Sequence, residues 1–252
     1  MHDRFLRFPV IEPGKGISCT RRLRAAVLLL ATVAAAPAHL FAAQFTGYAS
    51  LTTDYVYRGV TRSDGHGAIQ LGGDISFDAG FYAGIWGSTV DIGNNVTRQR
   101  DTEVNYYLGY SYQASDRWTI GGNVVSYQFP GAFGALDYDH EEYAVTLNYN
   151  DQWWFEYAQA PDYYGAGVRA HNYELFTEWP LPHQVSLSVG IGHFDVGDFS
   201  GDSYTFWQLG ASRPLGPLDI DLRYHDTSNW VPRVSSPERA DARFVLTARF
   251  QF

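Results

Sequence analysis

Beyond residue 43 the chain keeps a rhythm of two. Between Thr102 and Gln113, Val104, Tyr106, Leu108, Tyr110 and Tyr112 interleave with Glu103, Asn105, Tyr107, Gly109 and Ser111. Ile69, Leu71, Ile75 and Phe77 alternate with Gln70, Asp74 and Ser76. Tyr143, Val145, Leu147 and Tyr149 alternate with Glu142, Thr146 and Asn148, and Leu218, Ile220, Leu222 and Tyr224 with Asp219, Asp221, Arg223 and His225. Period two over such lengths predicts strands with one apolar and one polar face.

The connections alternate as well. Short turns fall at Asp78-Ala79-Gly80, Ala114-Ser115-Asp116, Asn150-Asp151-Gln152, Pro180 to His183 and Pro214 to Pro217. Longer polar links lie between them, near 58–67, 92–101, 129–140, 160–170, 195–203 and 226–240. Twelve strands follow: 45–57, 67–78, 81–91, 102–113, 117–128, 141–150, 153–160, 170–179, 184–194, 203–213, 217–226 and 240–252. Strands of about ten residues joined alternately by short turns and longer loops are the layout of a transmembrane antiparallel up-and-down β-barrel. A soluble β-sandwich also alternates, but its loops are not sorted into short and long by parity. Its outward face is polar, whereas Trp118, Trp153, Tyr157 and Trp179 sit towards strand ends on the apolar face, as interfacial girdles require.

The last strand is the most specific signal. Phe244, Leu246, Ala248, Phe250 and Phe252 share one face, and Val245, Thr247, Arg249 and Gln251 the other. An alternating aromatic strand closed by phenylalanine resembles the signal by which the barrel-assembly machinery accepts outer-membrane clients, with Phe250 and Phe252 as its carriers. The expected location is the outer membrane of a Gram-negative bacterium.

The first 43 residues read differently. Arg4, Arg7, Lys15, Arg21, Arg22 and Arg24 precede an uncharged run from Ala25 to Ala38, then Leu40-Phe41-Ala42-Ala43. A basic region, a short apolar run and small residues make a cleavable signal peptide over 1–43, leaving a barrel over 44–252. The run is short of the roughly 20 residues a spanning helix needs. Charge sharpens the picture. The chain has 18 basic and 27 acidic residues; the first 43 hold six and two, so the barrel carries twelve arginines against twenty-five carboxylates. That balance argues against nucleic acid as a partner. The single cysteine, Cys19, lies in the signal, so neither disulfide nor thiol chemistry is expected beyond it.

Three segments add a resemblance. Asp54-Tyr55-Val56-Tyr57-Arg58-Gly59-Val60-Thr61-Arg62-Ser63-Asp64, Gly80-Phe81-Tyr82-Ala83-Gly84-Ile85-Trp86-Gly87-Ser88 and Glu103-Val104-Asn105-Tyr106-Tyr107-Leu108-Gly109-Tyr110 together resemble the TorF family of porin-like bacterial outer-membrane proteins. The resemblance implies a porin-like role and supplies no catalytic or binding residues.

The polar faces name the candidate pore lining: Asp74, Glu103, Glu142, Glu174, Glu178, Asp219, Asp221, Arg223 and Arg249. Carboxylates outnumber arginines in this set, which favours cations or neutral solutes in an open lumen. In a closed one the same charges pair across the barrel. Twelve strands lie between small barrels filled by side chains and 16–18-stranded porins with an aqueous channel. Arg58 and Gly59 are expected at the exit of the first strand. There Gly59 bends the chain, and Arg58 either anchors at the interface or reaches the pore mouth and a carboxylate such as Asp64.

Enzymatic barrels are disfavoured. No mature histidine is followed two residues later by serine, the pair that outer-membrane phospholipases carry, and Asp137-Tyr138-Asp139-His140 lacks a second acidic pair beside it. His140 with Glu141 and Glu142, or His193 with Asp195 and Asp198, could chelate a surface cation, but neither spacing is diagnostic. No cofactor or metal is expected. Gly121-Gly122 and Gly190-Ile191-Gly192 lie within strands and read as room for close packing or for strand curvature, not as phosphate loops. The expected partners are membrane lipid, lipopolysaccharide, the assembly machinery and a small solute. A channel and a non-conducting barrel with binding loops are the two functions that remain.

Overall fold

A computed structural model describes residues 43–91, 101–131, 138–196, 203–228 and 237–252. The signal-peptide reading falls outside these, Ala43 apart. The chain forms an all-β closed antiparallel barrel of twelve strands. They are β1 (Ala43–Thr52), β4 (Ala68–Phe77), β5 (Phe81–Val90), β6 (Asp101–Gln113), β7 (Trp118–Gln128), β8 (His140–Tyr149), β9 (Trp153–Ala160), β10 (Ala170–Leu181), β11 (Val185–Asp195), β12 (Ser203–Leu215), β13 (Leu218–Ser228) and β14 (Arg243–Gln251). Two further strands, β2 (Val56–Tyr57) and β3 (Val60–Thr61), form a separate small hairpin.

Each wall strand pairs with its neighbour in sequence, and β14 returns to β1 through five pairs from Tyr48↔Gln251 to Thr52↔Thr247. Gly47 and Phe252 extend this seam with two reciprocal backbone bonds of 2.8 Å. Closure leaves no open edge in the wall, the condition that a lipid environment imposes on backbone polar groups.

Alternation sets the two faces. Leu51, Leu71, Leu108, Val145, Ile191 and Leu222 are exposed outward, so the apolar residues face away from the interior. The interior is polar and much of it is buried, including Gln70, Glu103, Asn105, Glu142, Glu156 and Asn172. At the short-turn end the outer face carries Trp118 against Tyr149 and Trp153 against Trp179, with ring centroids 4.6 and 5.7 Å apart. At the loop end Tyr157 packs on Tyr173 and Tyr224 on Phe244. Two aromatic belts therefore flank an aliphatic band. Leu209 lies mid-strand in β12 and outward, with Gln208 beside it inward. Leu209→Arg is expected to cost about 2–4 kcal/mol, because it sets a charge at the bilayer midplane. Gln208→Arg, turned to the wet interior, is expected to cost far less. Urea unfolding of the two refolded variants in lipid vesicles compares them, and equal midpoints would contradict the assigned faces.

The glycines read as packing room serve that purpose. Gly192 lies opposite Phe206, whose ring occupies the place of the missing side chain, as Gln208 does at Gly190 and Thr146 at Gly121. The main difference from the sequence expectation is the first strand. It stops at Thr52, not at residue 57, and the chain turns into the barrel. The cause is Asp54. Its carboxylate accepts hydrogen bonds from Thr61 Oγ1 at 2.5 Å, Ser63 Oγ at 2.7 Å and Arg243 Nη1 at 2.8 Å, and its carbonyl accepts one from Thr52 Oγ1. These bonds close residues 54–63 into a loop that cannot continue the wall.

Candidate functional site

The inward hairpin divides the interior into two halves. Its turn is Arg58-Gly59, with φ of 48° and 79° between the paired residues Tyr57 and Val60. Positive φ at both central residues is the two-residue turn whose twist suits a hairpin. Glycine meets that demand without cost, and arginine does so rarely. Arg58 is held there from outside. Its guanidinium donates from both terminal nitrogens to the two oxygens of Glu142, each at 2.7 Å, and both side chains are almost wholly buried. The Tyr57 and Phe194 rings lie 4.7 and 4.9 Å from its central carbon. Thr227 Oγ1 donates to the Gly59 carbonyl at 2.9 Å, tying the tip to β13. Arg58 is thus neither an interfacial anchor nor a partner of Asp64, which meets Arg239 at 3.2 Å.

Arg62 makes the second seat. Its Nη1 lies 2.6 Å from Glu103 Oε1, and its guanidinium lies 3.7 Å over the Tyr57 ring. Glu103 also accepts from Asn105 at 2.8 Å and from the Tyr55 hydroxyl at 3.3 Å. The Tyr57 and Tyr127 hydroxyls share a bond of 2.9 Å. Burial pushes the Tyr57 phenol well above its ordinary value, so that bond joins neutral hydroxyls. Around these polar contacts the aromatic packing is dense. His140 stacks on Tyr127 at 4.5 Å, and Tyr163, Phe194, Tyr204 and Phe206 form a cluster against Val60. Among the described residues, the loop-end interior is filled.

The other half is open. A cavity of about 310 Å³ runs from beneath the hairpin towards the short-turn end. Asp54, Asp74, Glu156, Glu174, Glu178, Asp219 and Asp221 line it, against Arg58, Arg223 and Arg249. Arg223 pairs with Asp221 at 2.9 Å and reaches Gln208 Oε1 at 3.1 Å, while Gln208 Nε2 donates to Glu174 at 3.3 Å. Asp74 accepts from the Tyr107 hydroxyl. Of the residues named from sequence, Asp74, Glu174, Glu178, Asp219, Asp221, Arg223 and Arg249 meet at this cavity. Glu103 and Glu142 sit apart at the loop end, joined to the hairpin arginines.

Sequence reasoning passed over Glu156 and the hairpin residues Asp54 and Arg62. Glu156 shares its side of β9 with Trp154 and Ala158, opposite to the exposed Phe155, and that parity was available. Phe250 and Phe252 lie outward with ring centroids 6.0 Å apart. The cation cluster read at His140, Glu141 and Glu142 does not assemble. His140 Nδ1 bonds the Tyr138 carbonyl and Glu142 holds Arg58. His193 Nδ1 lies 3.3 Å from Thr205 Oγ1, and Asp198 is outside the described residues. Asp64, His66 and Asp91 do bring ligand atoms within 4.8 Å of one another. Arg239 already stands between the two carboxylates, 3.2 Å from Asp64 and 3.9 Å from Asp91.

A closed twelve-stranded antiparallel wall with an apolar exterior, a polar interior and an inward segment defines the fold class as a closed β-barrel with the faces of a membrane barrel. The chain belongs to the Gcw_chp family, bacterial proteins of unknown function, whose model matches residues 35–247. The fold is similar to the KdgM porin, with a TM-score of 0.52 at 6% identity, covering 83% of this chain and 99% of that one. The KdgM porin in complex with disordered oligogalacturonate matches with the same score at 7% identity and the same coverage. The NanC porin gives 0.48 at 10% identity, covering 82% of this chain and 98% of that one. No curated protein matches the sequence.

Proposed function

We propose that this protein is a porin-like outer-membrane channel for small hydrophilic solutes, not an enzyme, with a mild preference for cations. The observation that carries the reading is the axial cavity and its charge: seven carboxylates against three arginines, with Arg58 already paired with Glu142, Arg223 with Asp221, and Asp54 with Arg243. An acidic lining raises the local concentration of cations and repels anions. The fold shared with porins and the resemblance of three segments to the TorF family support the channel class. The KdgM comparison separates fold from cargo. Oligogalacturonate is a polyanion, and the acidic cavity of this chain suits the opposite charge.

In this reading the hairpin 54–63 is the constriction, and the solute path runs beside it or opens when it shifts. Membrane lipid, lipopolysaccharide and the barrel-assembly machinery are the partners such a protein meets, the last through Phe250 and Phe252. A second reading, a non-conducting barrel with binding loops, draws on the dense packing around Arg58 and Arg62. Planar bilayers decide between the two. Reproducible conductance steps, with a reversal potential under a salt gradient displaced towards the cation, are expected of the channel; a folded barrel that stays silent refutes it. Glu174→Gln together with Glu178→Gln is expected to move that reversal potential towards zero. An unchanged potential would remove these two residues from the conduction path.

A further inference from the structure

The mid-barrel interior carries an arrangement that general cation preference does not account for. Glu156 on β9 and Glu174 on β10 are direct partners across the ladder, and the next inward pair towards the short turns is Trp154 with Phe176. All four line the cavity. Like charges set opposite each other in a sheet oppose pairing. A carboxylate taken out of water needs a compensating partner. Glu174 accepts a bond from Gln208 at 3.3 Å and has the Asn172 amide beside it on the same strand face. Glu156 is only 6% exposed, and its Oε2 has no hydrogen-bond partner among the described residues. The nearest arginines are engaged elsewhere, Arg58 with both oxygens of Glu142 and Arg223 with Asp221 and Gln208.

The wall beside this pair is built of glycine, and its side-chain space is taken by residues of β12. On β11 the inward positions facing Glu174 and Phe176 are Gly192 and Gly190. The wall there offers no side chain of its own, and Phe206 and Gln208 lean over it from β12. The Trp154 and Phe176 rings, 5.7 Å apart at a 53° tilt, form an apolar step directly below the carboxylates.

We propose that Glu156 and Glu174 form a binding site for a small organic cation carrying N–H donors, a primary alkylammonium. Its nitrogen donates to Glu156 Oε2 and bridges to Glu174, and its alkyl stem lies against Trp154 and Phe176. The buried oxygen lacks a donor, so a cation with N–H groups satisfies it and a quaternary ammonium does not. The aromatic step favours a carbon stem over a hydrated inorganic ion, and the rings attract positive charge as well. The inference deepens the channel reading by naming a solute class, and rests on it for physiological meaning, while the site itself can be tested without conduction.

The test is isothermal calorimetry on the full-length protein in detergent micelles, titrated separately with n-butylammonium, tetramethylammonium, potassium and calcium chlorides. Saturable one-site binding of n-butylammonium is expected, about ten-fold or more tighter than tetramethylammonium, the worth of one charge-assisted hydrogen bond. Glu156→Gln and Glu174→Gln, each checked for folding by its heat-dependent gel mobility, should weaken binding by a similar factor. Comparing the probes on the unaltered protein keeps the test valid even if a variant misfolds. Absent binding, binding untouched by both folded variants, or equal binding of tetramethylammonium or calcium each overturns the assignment. Bilayer conductance of the same preparation separates the two readings. Binding without conductance refutes only the channel, and conductance without binding refutes only this site.

Discussion

Replacing Arg58 with alanine is expected to unseat the inner hairpin and raise single-channel conductance several-fold. The variant leaves Glu142 almost fully buried with its bidentate partner removed. Breaking a buried pair from one side costs about 3–5 kcal/mol, because the remaining charge is uncompensated. The Tyr127 hydroxyl, 3.5 Å from Glu142 Oε1, is a weak substitute. The barrel wall has no reason to absorb this cost. Its strands hold one another through continuous ladders, whereas the hairpin is a two-by-two-residue ribbon attached at Asp54, Gly59 and the two arginines. Local opening is the less expensive response. A shift of 3–5 kcal/mol changes the seated-to-released ratio by roughly two to four orders of magnitude.

Two measurements check the expectation. Hydrogen exchange of residues 54–63 should accelerate in Arg58→Ala while that of the wall strands stays close to the parent. In planar bilayers the step size should grow. Combining Arg58→Gln with Glu142→Gln removes both charges, so no uncompensated charge stays buried, the hairpin should reseat and conductance fall back. Unchanged conductance in Arg58→Ala despite accelerated exchange would mean that the hairpin is not the constriction.

What the sequence reveals here follows the range of the forces involved. The wall is legible because alternation is local: the strand expected over 102–113 runs Asp101–Gln113, and the one expected over 153–160 runs Trp153–Ala160. The twelve-strand count rests on the same signal. The hairpin is a different case, since Arg58 meets a carboxylate 84 residues away and Arg62 one 41 residues away. No spacing rule links them. There was nevertheless a local hint. Tyr55, Val56, Tyr57 and Val60 are too apolar for a loop that faces water, and a segment of this kind with two arginines needs a buried acidic partner. The candidate lining divides along the same line. Parity places Asp74, Glu174, Glu178 and Asp221 inward, but parity cannot tell that Glu103 and Glu142 are occupied by a returning segment. Glu156 was lost among aromatic neighbours, although its register with Glu174 makes it the more informative of the two.

Arg62→Ala is expected to produce the second large effect, and its pattern reports whether the hairpin is one unit. Glu103 is completely buried and would lose its only described cationic partner, keeping Asn105 and, more weakly, the Tyr55 hydroxyl as donors. Those two bonds place the loss near the lower end of the range for a broken buried pair, about 3 kcal/mol. Arg62→Lys keeps the charge yet should recover only part of it. The guanidinium carbon lies 3.7 Å from the Tyr57 ring centroid while one nitrogen reaches Glu103. A lysine ammonium is a compact point charge that cannot stack in that way, so about 1–2 kcal/mol should remain lost. Exchange rates in the hairpin give each value. The double variant Arg58→Ala with Arg62→Ala should then cost clearly less than the sum of the singles, because once the first seat is lost and the hairpin has moved, the second arginine no longer meets Glu103. Strict additivity would show instead that the two seats act independently, and that the hairpin does not release as one piece.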